Sequence, residues 1–128
     1  VQLVLRALEH MEGGEIFVPK IPSMNIMAVA KAIAPGVKTR VIGIRPGEKL
    51  HESMIGVEDA RNTVEFDDFF AVYPQTSNMQ RNDKPYASKT RGKPVPDGFQ
   101  YSSDRNSEWL TETDLLRLLE TEKQDMNQ

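Results

Sequence analysis

The sequence of 128 residues contains no cysteine, which excludes disulfides and thiolate metal sites and fits a reducing cytosol. Its two histidines, His10 and His51, lie too far apart to write any zinc spacing. No apolar run approaches the ~20 residues that span a bilayer, and no signal-peptide pattern is present. Strong charge of one sign is also missing. The net charge is −3, against a general nucleic-acid binder, whose phosphate contacts need a basic surface. There is no glycine-rich dinucleotide fingerprint, no Walker loop and no nucleophile elbow. What remains is an ordinary globular composition, 38% apolar and 27% charged, in a chain long enough for one sizeable core. The first residue, Val1, already sits inside a periodic apolar pattern, so the sequence reads as a piece of a longer protein.

That first pattern is Val1, Val4, Leu5, Leu8 and Met11, the spacing of an amphipathic helix, with Gly13-Gly14 as its stop. Residues 15–18 predict a short strand ended by Pro19. Ser23 is the expected N-cap of a helix carrying Ile26, Val29, Ala30 and Ile33, which Pro35-Gly36 ends. Residues 37–44 predict a second strand, apolar on both faces near its end. Residues 48–55 predict a short helix. Thr63 to Tyr73 predicts a hairpin around Asp67-Asp68. From 75 to 98 Pro, Gly, Asn, Ser and basic residues dominate, the composition of a long flexible loop with almost nothing to bury. Thr111 and Asp114 have capping-box spacing ahead of a last helix built on Leu115, Leu116, Leu118 and Leu119. Trp109, just before that cap, is placed to pack back on the helix.

The richest chemistry lies at the end of the second predicted strand, where Val41-Ile42-Gly43-Ile44 runs into Arg45-Pro46-Gly47-Glu48. A guanidinium there can pair bidentately with a diphosphate. Glu48, three residues on, can accept from ribose hydroxyls, while Pro46 fixes φ and Gly47 permits close approach. The plainer reading is a surface turn in which Arg45 makes a local salt bridge. Lys20, flanked by prolines between a strand end and a helix, can reach a ligand or be an ordinary exposed lysine.

Other charged groups have plainer explanations. Lys49, His51 and Glu52 fit a solvated helix face better than an acid–base site. Glu58, Asp59, Glu65, Asp67 and Asp68 lack calcium-loop spacing. Arg81, Lys84, Lys89, Arg91 and Lys93, with the single Tyr86, fit a solvated loop better than a nucleic-acid arm. Met24, Met27 and Met54 read as core filler or interface surface.

Three stretches carry a resemblance. They are residues 14–24 (GEIFVPKIPSM), Ala30-Lys-Ala-Ile33, and residues 42–52 (IGIRPGEKLHE). Together with Asp59 to Asp67, Tyr101-Ser-Ser-Asp104 and residues 106–110, they resemble the C-terminal part of the inverting UDP-N-acetylglucosamine 4,6-dehydratases. These are extended short-chain dehydrogenase/reductases of bacterial surface-sugar biosynthesis, including the route to pseudaminic acid. The resemblance covers nearly the whole chain and is weakest across 75–98.

The resemblance implies an α/β fold, a small mixed sheet with flanking helices, forming the C-terminal lobe of such an enzyme. The whole enzyme would be a cytoplasmic, homo-oligomeric lyase using NADP. An N-terminal Rossmann domain would bind the cofactor and carry the catalytic residues, so this sequence holds no catalytic, cofactor or metal site and is inactive alone. Arg45 would bind the diphosphate and Glu48 the uridine ribose of UDP-N-acetylglucosamine, with Lys20 a weaker candidate. No nucleic acid and no membrane span are expected. The expected division is 1–74 as the core of the UDP-sugar lobe, 75–98 as the loop, 99–122 as the C-terminal segment and helix, and 123–128 as a tail. Arg-x-x-Asp/Glu also serves UDP binding in related 4- or 5-epimerases, so an epimerase lobe stays open. So does a free-standing binding or assembly module.

Overall fold

A computed structural model describes residues 2–11, 13–74 and 92–125. In chain order the elements are α1 (Gln2–His10), β1 (Ile16–Pro19), β2 (Ser23–Met24), α2 (Ile26–Ile33) and β3 (Ser53–Ile55). A 3-10 helix (Val57–Asn62) then leads to β4 (Thr63–Glu65), β5 (Phe69–Val72), β6 (Lys93–Pro94), β7 (Tyr101–Ser102), β8 (Trp109–Leu110) and α3 (Glu112–Asp125). Among the described residues the fold is mixed α/β, with three small sheets. Two compact units interleave along the chain, Val1–Lys20 with Ser53–Ser102, and Ile21–Glu52 with Ser103–Gln128. Residues 1–74 therefore contribute to both.

The first unit is built on the predicted hairpin. Thr63 pairs with Val72, Val64 with Ala71 and Glu65 with Phe70, closed by the Phe66 amide donating to the Phe69 carbonyl at 2.9 Å. Flanking strands complete an antiparallel sheet of order β1-β5-β4-β6. Period-two alternation sends successive residues of β5 to opposite faces, and both faces are covered. Phe70 joins Val18, Ile55, Ala60 and Val95 in one cluster, with Phe99 and Tyr101 packed on it. Phe69 and Ala71 join Val64 and Tyr73 in the other, against Leu3 of α1, Phe17 and Phe66. Packing is tight where β6 begins: a Cβ on Gly92 would sit 2.5 Å from the Phe66 ring, so only glycine fits there. Val95 is fully buried, so the end of the stretch read as having almost nothing to bury supplies core; residues 75–91 lie outside the described residues.

The α1 helix forms as its spacing predicts, yet Val4, Leu5, Leu8 and Met11 are all exposed. Its contribution to the described core is Leu3, one position off the predicted stripe.

In the second unit β2 and β8 pair in parallel, Ser23 with Trp109 and Met24 with Leu110. Helices α2 and α3 pack on each other. The predicted capping box forms in full: the Thr111 amide donates to Asp114 Oδ2 at 3.0 Å and the Asp114 amide to Thr111 Oγ1 at 3.3 Å. Of the four leucines predicted for the last helix, Leu115 alone is buried.

Three sequence expectations are corrected. The N-cap of α2 is Asn25, whose Oδ1 accepts from the Met27 amide at 2.9 Å, because Ser23 is used two residues earlier in β2. Residues 37–44 form no strand: no described strand offers them a ladder, and Val41 is 89% exposed. Residues 48–55 form no helix. β3 claims residues 53–55 by pairing with β7, and the few residues left after the Pro46-Gly47 turn are too short for a helix nucleus. Trp109 lies in β8, half-exposed, with its Nε1–H donating to the Asn106 carbonyl at 2.9 Å.

Candidate functional site

Arg45, Pro46, Gly47 and Glu48 make one closed turn. The Glu48 amide donates to the Arg45 carbonyl at 3.0 Å, and Gly47 takes φ +87°, the left-handed position of a type II turn after a proline. A second bond runs the other way, from the Arg45 amide to Glu48 Oε2 at 2.9 Å. The same carboxylate lies 3.5 Å from Arg45 Nε through Oε1, with the two side chains 70% and 48% exposed. Glu48 thus ties off the turn and touches the inner edge of the guanidinium. The plainer sequence reading of the turn holds. The local salt bridge engages Nε, and the Arg45 side chain still stands largely in solvent; a guanidinium grips a phosphate bidentately through two of its nitrogens.

Residues 38–52 carry little else. Apart from the turn's own bonds, their hydrogen bonds among the described residues are at Glu52: its carbonyl accepts from the Ser103 amide at 2.9 Å, and its amide donates to Ser103 Oγ at 3.1 Å. The Ser103 carbonyl in turn accepts from the buried Ser23 hydroxyl at 2.8 Å. Lys49 and His51 are exposed and make no hydrogen bond or ion pair among the described residues.

Lys20 belongs to the other unit and is already engaged. Its Nζ is 2.7 Å from Glu65 Oε1 and 5.1 Å above the Phe70 ring, while its amide donates to the Asp68 carbonyl at 3.0 Å. It lines a shallow cleft of 320 Å³ with Glu65, Phe66, Asp67 and Lys93. Acids and bases alternate there, with Glu65 facing Lys93 across β4 and β6, so the cleft offers a dianion no net attraction. Among the described residues no three His, Asp or Glu side chains gather as metal ligands, and no helix is long and apolar enough to cross a membrane.

Sequence reasoning missed Ser103 and Asn106. Asn106 Nδ2 donates to the Ile21 carbonyl at 2.6 Å, and its Oδ1 accepts from the Glu108 amide at 3.1 Å. That second bond is an Asx turn, which an asparagine between polar neighbours could have signalled. Ser103 carried no such mark.

Residues 1–74 match the family described as "Polysaccharide biosynthesis protein". The UDP-N-acetylglucosamine 4,6-dehydratase (inverting) of Campylobacter jejuni subsp. jejuni serotype O:23/36 (strain 81-176) is 46% identical over 125 residues, covering 93% of this chain and 36% of that protein. The UDP-glucose 4-epimerase of Rickettsia canadensis is 40% identical over 76 residues, 56% of this chain and 22% of that protein. The chain thus spans about a third of the length of the curated dehydratase relatives it matches. Among solved structures, Pen from Bacillus thuringiensis superposes with a TM-score of 0.71 at 21% identity, covering 95% of this chain and 36% of that one, a likeness of fold.

Proposed function

We propose, from the premise that this chain belongs to the polysaccharide biosynthesis protein family, that it is the substrate-gripping C-terminal lobe of an inverting UDP-N-acetylglucosamine 4,6-dehydratase. The whole enzyme, a cytoplasmic homo-oligomer, would remove water from the hexose and release a 4-keto-6-deoxy sugar nucleotide for surface polysaccharide or pseudaminic acid. The observation that carries this reading is the Arg45–Glu48 turn. Arg45 holds the diphosphate with its solvent-facing edge, and Glu48 fixes the guanidinium from behind. Glu48 also keeps carboxylate lone pairs for a ribose hydroxyl, since an ionised carboxylate accepts at about four positions. Lys20, ion-paired with Glu65, has no part in this reading.

These contacts act far from the reacting carbons. Binding energy gathered at the nucleotide end orients the hexose, so that the reacting groups meet in near-attack geometry. The residues of this chain do not fit NADP. No Gly-x-Gly-x-x-Gly run exists, and Gly36, Gly43 and Gly47, each in the left-handed region, sit apart from any strand-to-helix crossing. The cofactor is assigned to polypeptide outside this sequence, and no step here runs through it. The longer match to the dehydratase supports that reaction over the epimerase.

Titration of the isotope-labelled chain with UDP, followed by amide resonances, tests the proposal. Resonances of Arg45, Gly47 and Glu48 should move together and saturably, and the chain supplied with NADP and UDP-N-acetylglucosamine should form no 4-keto product. Saturable movement confined to other segments, or any turnover, refutes it.

A further inference from the structure

We infer that Ser103 is the positioning residue of the Arg45–Glu48 turn, holding it in register through Glu52; this rests on the proposed reading of that turn as a nucleotide-diphosphate site. The turn closes on itself but is nearly unattached. Every residue from 36 to 54 is exposed, and among the described residues no hydrogen bond leaves 38–52 except at Glu52. A turn on an untethered strip loses part of its binding energy to ordering each time a ligand arrives. Ser103 supplies the missing point of attachment from both sides: its amide donates to the Glu52 carbonyl at 2.9 Å and its Oγ accepts from the Glu52 amide at 3.1 Å.

The post itself is firm. The Ser103 carbonyl accepts from the buried Ser23 hydroxyl at 2.8 Å, and the Ser23 amide donates to the Glu108 carbonyl at 2.8 Å. Three residues after Ser103, Asn106 fastens the same loop to the Ile21 carbonyl at 2.6 Å. Ser103 therefore links the irregular ligand-facing strip to the β2–β8 pair, with its side-chain oxygen as the one contact a substitution can remove while the backbone bonds remain. The serine never touches the ligand in this arrangement; it acts through Glu52.

Ser103→Ala and Ser103→Thr in the full chain test this, read by heteronuclear NOE and amide exchange at 45–52 and by the Kd for UDP. In Ser103→Ala the amides of 45–52 should lose order and exchange severalfold faster. UDP should bind about three- to tenfold more weakly, the loss of one hydrogen bond, with α2, α3 and the melting temperature nearly unchanged. Ser103→Thr, which keeps the hydroxyl, should restore both. Unchanged order and exchange at 45–52 in Ser103→Ala overturn the inference, as does a uniform loss of order across the unit. If Ser103→Ala does not fold, Ser103→Cys, with a weaker acceptor, carries the same comparison. If the unsubstituted chain fails to bind UDP, the reading of Arg45 and Glu48 fails, and the relaxation data alone decide the role of Ser103.

Discussion

At the residue scale Arg45 is the group whose charge is separable from its geometry. A lysine keeps the positive charge but offers a point ammonium in place of a planar fork. It also cannot meet Glu48 through an Nε–H while presenting two further nitrogens outward. Arg45→Ala should weaken UDP binding by roughly ten- to hundredfold, the ~1.5–3 kcal/mol of a charge-assisted pair. Arg45→Lys should recover only part of that loss. Isothermal titration of the unsubstituted chain and the two variants measures both, and an Arg45→Lys protein that binds UDP as tightly as the unsubstituted chain would show that charge alone matters. The turn that carries this residue was legible in the sequence because Pro46 and Gly47 each have one strong conformational preference, which together specify a type II turn. Lys20 was ambiguous for the opposite reason. Its partners, Glu65 and Phe70, lie some fifty residues away in sequence, and no local pattern reports that the hairpin brings them to it.

At the scale of elements, local chemistry was read well and long-range pairing poorly. The hairpin from Thr63 to Val72 and the Thr111–Asp114 box depend on neighbours a few residues apart, and both formed as expected. The strand expected at 37–44 and the helix at 48–55 were decided by distant partners, present for β3 and lacking for 37–44. The capping box makes a prediction of its own. Thr111 hydrogen bonds, first from the side chain and then from the backbone, hold the Asp114 carboxyl below its ordinary value of 3.8, with Arg117 adding a smaller push the same way. A depressed carboxylate favours the folded state at pH above its unfolded value, and that contribution disappears as pH falls through the folded one. Helix α3 should therefore fray at its start only below about pH 4. Amide resonances of 111–115 followed through an acid titration measure this. Asp114→Asn should flatten the dependence, and an unchanged titration in that variant would refute the role given to Asp114.

For the whole molecule the exposed apolar surface is the dominant fact. Val4, Leu5 and Leu8 of α1, with Met11 just past its end, face solvent in one unit, and Val41, Ile42 and Ile44 in the other. Single exposed apolar residues are normal, but contiguous stripes mark surfaces that something covers. Within the proposed enzyme that cover is further polypeptide, consistent with relatives nearly three times as long as the match. With only this chain present, the material available to bury those stripes is another copy of itself. A net charge of −3 is too small to hold copies apart at physiological ionic strength, where the Debye length is ≈ 8 Å. Sedimentation velocity should show the weight-average mass rising with protein concentration, with bound hydrophobic dye falling in parallel. Leu5→Glu with Leu8→Glu alters exposed positions and leaves Leu3, the α1 residue packed on the core, in place. That double substitution should lower the association without moving the melting transition by more than a few degrees. A mass that stays monomeric at every concentration would mean the stripes are too divided to bind each other, and the surface argument would fail with them.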